Sequence, residues 1–111
     1  AIGRVIPECD EKGDYKPLQC HKGSDFCQCW DKKGHHVARP SSKLRHCKCP
    51  MEKHESEDFD PTGVFVHVPT CKEDGKYTEK QCMGKGKNVC WCVNEDSGEK
   101  TSEPTKDEVT C

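Results

Sequence analysis

The spacing of its cysteines is the feature that most constrains this chain. Eleven of the 111 residues are cysteine, a density typical of small secreted domains that are held together by disulfides. The spacing also recurs, because Cys9 to Cys20 and Cys71 to Cys82 each enclose ten residues. We therefore expect a crosslinked scaffold of the oxidising compartment.

The cysteines belong to a longer repeated pattern. Residues 13–30 read GDYKPLQCHKGSDFCQCW, and residues 75–93 read GKYTEKQCMGKGKNVCWCV. Both contain, in the same order, a glycine, a tyrosine, a glutamine before a cysteine, and two cysteines one residue apart. This shared order predicts a tandem duplication. In the second copy, the glycine-rich break between two short runs predicts a β-hairpin with a disulfide across it.

Composition favours crosslinks as the main source of stability. Hydrophobic residues make up 31% of the chain and charged residues 34%, which is too little apolar surface for two ordinary cores. A disulfide that closes a loop of about 15 residues contributes roughly 3 kcal/mol in the chain-entropy model. Several bridges can therefore replace a missing core.

Charge and hydropathy restrict the classes of partner that the protein can bind and the compartment in which it acts. The net charge is −2 with both signs mixed, so no field steers the protein onto nucleic acid or an anionic membrane. No apolar run approaches the roughly 20 residues of a membrane span, and we expect Ala1 to begin a mature chain that no longer carries a signal peptide. We expect a mature, secreted, extracellular protein that does not insert into membranes and whose partners are chosen by shape.

Five motifs together carry a resemblance to a known family. Pro-x-Cys, Gly-x-Tyr, Gln-Cys, Cys-Trp-Cys-Val and a closing cysteine are similar to those of the thyroglobulin type-1 module, and they cover nearly the whole chain twice. The resemblance implies a small, disulfide-rich, mostly irregular fold with short antiparallel β-hairpins and a short helix. It implies a first module at residues 1–47 that lacks its first cysteine and helix, and a complete second module at residues 49–111.

The resemblance also implies a disulfide pairing that spacing alone leaves open. The implied pairs are Cys20 with Cys27, Cys29 with Cys47, Cys49 with Cys71, Cys82 with Cys90, and Cys92 with Cys111. Cys9 is left without an expected partner. Either it is a free thiol or a result of truncation, or it is bonded to a short separate peptide that was cut from the same precursor at an exposed turn.

Local signals predict the elements that join the modules. Pro50 suits the first turn of a helix, so we expect a short polar helix over Met51 to Glu57. Asp60 to Gly63 predicts a turn. Lys48, alone between two cysteines, predicts a rigid joint between the modules, and the basic residues 43–45 are expected to be a solvated face.

One departure from the family pattern concerns the first module. Gln28 stands where the family has tryptophan. Trp30 follows two residues later, and we expect it to recover some of the lost aromatic packing.

Metal and catalytic chemistry are not favoured. Cysteine pairs one residue apart point to opposite faces of a strand, whereas structural zinc sites usually space them by about two to four residues. The six histidines stand in polar contexts, and no nucleophile, base and orienting residue form a recognisable arrangement. We expect no enzyme, no cofactor and no metal.

Many thyroglobulin type-1 modules are reversible inhibitors of papain-like cysteine proteases, and some relatives inhibit aspartic proteases. In those inhibitors three loops form a wedge that enters the active-site cleft. Carried onto the second module, the loops are residues 61–66, 83–88 and 94–98, and on the first module they are residues 1–4, 21–26 and 31–35. The implied protease contacts are Thr62, Gly63, Val64, Phe65, Met83, Gly84, Asn94, Glu95, Ile2, Gly3, His21, Lys22 and Gly23, of which Val64, Phe65 and Met83 are the expected apolar anchors.

A different class of function stays open. The run IPECDEKGDYKPLQC is similar to tandem-module proteins of spider venoms, which suggests a venom origin and a toxin acting on a receptor or channel. Lys12-Gly13-Asp14 resembles the tripeptide of some integrin-blocking toxins. Gly13 is already explained as the turn glycine that matches Gly75, so this tripeptide is a weak signal.

Overall fold

The computed structural model describes residues 5–84 and 86–111. In the first module, β1 (Leu18–Cys20), β2 (Cys27–Trp30) and β3 (His36–Ser41) form an antiparallel sheet in the order β1-β2-β3. Helix α1 (Lys48–Phe59) follows, and the second module contains the antiparallel hairpin of β4 (Lys80–Met83) and β5 (Val89–Cys92). The predicted fold class is confirmed, while the third strand of the first sheet was not predicted.

Five disulfides crosslink the two modules internally. They join Cys20 to Cys27, Cys29 to Cys47, Cys49 to Cys71, Cys82 to Cys90 and Cys92 to Cys111. These are the pairs that the family resemblance implies. Cys9 is exposed, and its thiol is free within the part of the chain that the structure describes.

A buried glutamine holds the same position in each module. Gln81 is 2% exposed; its Nε2 donates to the carbonyl oxygens of Thr70 and Thr78 at 3.0 and 2.8 Å, and its Oε1 accepts the Thr70 amide at 2.9 Å. Gln19 makes the equivalent bonds to Glu8 and Lys16. Burial of a primary amide is tolerated only when it is hydrogen-bonded, which explains why each copy has glutamine before its cysteine.

The two cores are small. In the second module, Cys49, Tyr77, Trp91 and Val93 are buried together. In the first, the buried cluster consists of Cys29, Leu44 and Cys47. Trp30 lies apart from that cluster but is still only 9% exposed.

Trp30 compensates in part for Gln28, as expected. Its ring lies edge-on to Tyr15 with centroids 5.3 Å apart, and it stacks on His36 at the same separation. Gln28 itself is 3% exposed. The first module thus keeps an aromatic pair, but the pair lies two residues further along the strand than the family pattern places it.

Helix α1 begins and ends outside the predicted range. It starts at Lys48 and continues to Phe59, with Pro50 still in its first turn. Cys49 and Pro50 are its only buried residues, so the disulfide to Cys71 rather than an apolar stripe attaches it to the module. The predicted turn is present, since the Gly63 amide donates to the Asp60 carbonyl oxygen at 3.1 Å.

The joint between the modules is formed by residues 43–46 against residues 73–75. The amides of Arg45 and His46 both donate to the Asp74 carbonyl oxygen, at 3.0 and 2.9 Å. Within the joint, Gly75 has φ +94° and lies so close to the first module that an added Cβ would be 1.8 Å from the His46 carbonyl oxygen.

Two side-chain contacts add to the joint. Lys43 pairs with Glu73 at 2.8 Å, and Met51 of α1 packs against the first module's cluster. Residues 43–45 are therefore not only a solvated face, because their backbone forms the contact between modules. The module boundary at Lys48 stays a prediction.

Candidate functional site

The contact loop, residues 61–66, is organised by one carboxylate. Asp60 Oδ1 accepts the amide and the hydroxyl of Thr62 at 3.1 and 2.6 Å. Its Oδ2 accepts the amides of Phe65 and Val66 at 2.8 and 3.1 Å. These hydrogen bonds, led by that from the Thr62 hydroxyl, lower the pKa of Asp60 from 3.8 to about 2. The loop is therefore held in one conformation before any partner arrives.

The contact loop presents apolar side chains to solvent. Phe65 is 84% exposed and Val64 is 40% exposed. Phe59, the last residue of α1 and two residues before the contact loop, is 81% exposed. Exposed aromatic side chains on a rigid segment are typical of protein interaction sites. Phe65 and Val64 are thus exposed, and their role as anchors stays a prediction; Phe59 was not among the expected contacts.

The hairpin tip of the second module, described at residues 84 and 86–88, lies beside the contact loop. Thr62, Gly63, Cys82 and Lys87 line one small surface cavity. The Cys82–Cys90 disulfide closes the tip, and the Lys87 amide donates to the Gly84 carbonyl oxygen at 2.9 Å. Met83 is different from the other expected anchors, because it packs against the module's core.

The third expected loop, residues 94–98, lies at the other end of the hairpin. The tip joins Met83 to Val89, while Lys80 pairs with Cys92 at the opposite end of β4 and β5. Asn94 and Glu95 follow from that opposite end. Glu95 pairs with Lys72 at 2.6 Å and with Lys76 at 3.3 Å, which places it towards the joint. The structure thus brings two of the three expected loops together and separates the third.

A segment that sequence reasoning missed lies near the tip instead. Cys90, at the tip end of β5, exchanges two backbone hydrogen bonds with Thr105, both at 2.9 Å. This bridge brings the residues around Thr105 to the side of the hairpin tip. No local motif marks that pairing in the sequence.

The expected contacts of the first module are only partly described. Ile2 and Gly3 lie outside the described residues. His21, Lys22 and Gly23 lie at the tip of the β1–β2 hairpin, where the His21 amide donates to the Phe26 carbonyl oxygen at 2.8 Å. Residues 31–35 form a separate turn between β2 and β3, again at the opposite end of the hairpin.

A histidine, His67, follows the contact loop directly in sequence and is partly buried. His67 Nε2 is 3.0 Å from Gln81 Oε1 and the ring contacts Trp91 with centroids 4.8 Å apart. Because Gln81 Oε1 can only accept, Nε2 carries the proton. Nδ1 is then a bare acceptor, buried without a partner among the described residues. Burial lowers the pKa of His67 below 6.5.

Metal-binding and membrane-spanning features are not found in the described parts of the chain. Across residues 5–84 and 86–111, no group of three histidine, cysteine or acidic residues is placed to hold a metal ion. Over the same residues, no helix has the length and apolar character needed to cross a bilayer. The arrangement is instead a rigid edge with exposed apolar side chains.

Comparison with known proteins identifies the scaffold. The family model of the thyroglobulin type-1 repeat matches residues 1–49 and 50–111. The chain is 42% identical over 108 residues to U20-hexatoxin-Hi1a of Hadronyche infensa, which covers 97% of this chain and 73% of the relative. It is 42% identical over 94 residues to U24-ctenitoxin-Pn1a of Phoneutria nigriventer, covering 85% of this chain and 71% of the relative.

A more distant match is human thyroglobulin, 29% identical over 124 residues that cover 98% of this chain and 4% of that protein. The cysteine framework, the buried glutamines and the repeat matches agree. The chain belongs to the thyroglobulin type-1 repeat family.

Proposed function

We propose that this chain is a secreted, reversible inhibitor of papain-like cysteine proteases and not an enzyme. The second module's contact loop and hairpin tip enter the active-site cleft without forming a covalent bond. The observation that carries the proposal is the contact loop itself, in which four hydrogen bonds to Asp60 hold a largely exposed Phe65 at a fixed position.

Preorganisation is what makes such a small surface sufficient. Ordering a loop on binding costs free energy, and a loop that is ordered beforehand avoids that cost. The contact loop lies within the span of the Cys49–Cys71 disulfide, and the tip lies within that of Cys82–Cys90. A few rigid aromatic contacts can then dominate the affinity.

Titration of papain and cathepsin L with the native protein tests the proposal. We expect the native protein to inhibit these enzymes tightly and reversibly, and Phe65→Ala to weaken that inhibition. Ile6→Ala is the matched control, because it truncates another exposed apolar side chain (58% exposed) in the first module, and it should leave inhibition unchanged. No loss of activity at micromolar protein would contradict it. Parallel titrations of pepsin and cathepsin D test whether aspartic proteases are the target instead.

The names of the relatives favour one alternative function. Both of the 42% identical proteins are named as toxins, which supports a venom component acting on a receptor, channel or integrin. The Lys12-Gly13-Asp14 turn has its lysine and glycine exposed. Inhibition of platelet aggregation by a protein that leaves all four proteases active would favour this alternative.

A further inference from the structure

The end of helix α1 has a composition that stability does not explain. Phe59 exposes 81% of its surface at the last helical residue, where it gains nothing from burial. The last helical turn contains no basic residue and instead contains Glu57 and Asp58. Because the carbonyl end of a helix carries partial negative charge, these carboxylates are unfavourable there.

The charges of this helix end are also largely unneutralised. Among the described residues, Glu57 has an ion pair only with Lys53, at 3.9 Å with both side chains about half exposed, and such a pair contributes little. Asp58 is exposed. An exposed phenylalanine preceded by two acidic residues, of which Glu57 has only this weak pair, fits a partner surface that is apolar and rimmed by basic residues.

This helix end is continuous with the contact loop. Phe59 precedes Asp60, whose carboxylate holds the Phe65 amide at 2.8 Å. Glu57 lines the same small cavity as Thr62 and Gly63 of the contact loop and Lys87 of the hairpin tip. Glu57 therefore lies beside the contact loop, and Phe59 is separated from that loop in sequence by Asp60 alone.

We propose that Glu57, Asp58 and Phe59 form a second docking surface, which binds an apolar, basic-rimmed patch on the protease beside its active-site cleft. This inference rests on the proposed function. Phe65 then anchors the contact loop in the active-site cleft, a feature common to the proteases of this class. The helix end selects among those proteases by the surface that flanks the cleft.

The experiment compares matched variants on the protease that the native protein inhibits best. Phe59→Ala should raise the inhibition constant about tenfold, while Ile6→Ala leaves it unchanged. Glu57→Gln with Asp58→Asn should slow association and reduce its dependence on salt concentration. The control with the same charge change, Glu8→Gln with Glu11→Gln in the first module, should leave both quantities unchanged.

The outcomes separate this inference from the proposed function. If Phe65→Ala weakens inhibition and Phe59→Ala does not, the second docking surface is overturned and the inhibitor function stands. If Glu57→Gln with Asp58→Asn leaves the association rate and its salt dependence unchanged, as the first-module control does, the proposal that the partner surface is rimmed by basic residues is overturned. If the native protein inhibits no protease, both proposals fail. Thermal unfolding of Phe59→Ala should match the native protein, because the side chain is exposed.

Discussion

The close contact between the modules can be tested by a substitution that adds a single methyl group at Gly75. Gly75→Ala places a Cβ 1.8 Å from the His46 carbonyl oxygen and 3.1 Å from Leu44 Cδ1, at a residue whose φ is +94°. A separation of 1.8 Å is far inside van der Waals contact, so the two modules must move apart. Gly13, the equivalent residue of the first module, has φ +86° and nothing within 4 Å of its added Cβ.

The expected magnitude follows from what each substitution disrupts. Both variants share the strain of an alanine at positive φ, roughly 1–2 kcal/mol. Gly75→Ala also breaks the hydrogen bonds from the Arg45 and His46 amides to Asp74, each contributing roughly 0.5–1.5 kcal/mol. We therefore expect Gly75→Ala to reduce the free energy of unfolding by about 1–3 kcal/mol more than Gly13→Ala does.

Two measurements check this prediction with the disulfides intact. Denaturant unfolding gives the difference in the free energy of unfolding between the variants. Small-angle X-ray scattering gives the radius of gyration, which for the Cα atoms of the structure is 15.6 Å and should increase in Gly75→Ala alone. Equal destabilisation by the two alanines, with no change in the radius of gyration, would refute the close contact at the joint.

Three further predictions concern single side chains. Asp60→Asn should speed hydrogen exchange at the contact-loop amides and weaken inhibition. In the native protein the pKa of Asp60 is about 2, so the carboxylate persists until the pH approaches that value, and its contribution to stability is lost between pH 3.8 and about 2. A loop whose amides exchange equally fast in Asp60→Asn and the native protein at pH 5 would contradict this role. The pKa of His67 lies below 6.5 in the folded protein, so the unfolded chain binds the proton first as pH falls, and the melting temperature should fall as pH drops below 6.5. His67→Gln should reduce this dependence of the melting temperature on pH, and an unchanged dependence would contradict the role of His67. Cys9 should be bonded to a separate peptide, as its counterpart Cys71 is bonded to Cys49 on the helix; an unreduced mass equal to this chain alone excludes that peptide.

The covalent framework and the repeat were predictable because they depend on residue identity. Gly34 and Gly98 illustrate this, since each lies against the tyrosine of its own module with an added Cβ at 3.0 Å or less from the ring. Such local contacts recur whenever the pattern recurs. The exposed position of Phe65 followed from the same logic, because its loop matches a family loop.

What the sequence did not reveal depends on contacts between distant segments. The order of loops along the chain does not say at which end of the hairpin each emerges. Residues 94–98 follow the end opposite the tip, and their role in protease contact stays a prediction. Met83 packs inward although its neighbours form the tip. A joint between the modules was expected at Lys48, but the contact of Gly75 with His46 was not. Gly75 has the same local pattern as Gly13, and only the neighbouring module distinguishes them.

The disulfides that span the contact loop and the hairpin tip also determine the effect of proteolytic cleavage in those two segments. Cys49–Cys71 spans residues 61–66, and Cys82–Cys90 spans residues 84–88. Cleavage of one peptide bond in either segment therefore releases no fragment, because both new ends stay covalently attached to the module. A nicked molecule keeps both halves of the cut loop, and Asp60 can still accept hydrogen bonds from the Thr62, Phe65 and Val66 amides. Cleavage by the target enzyme therefore need not end inhibition.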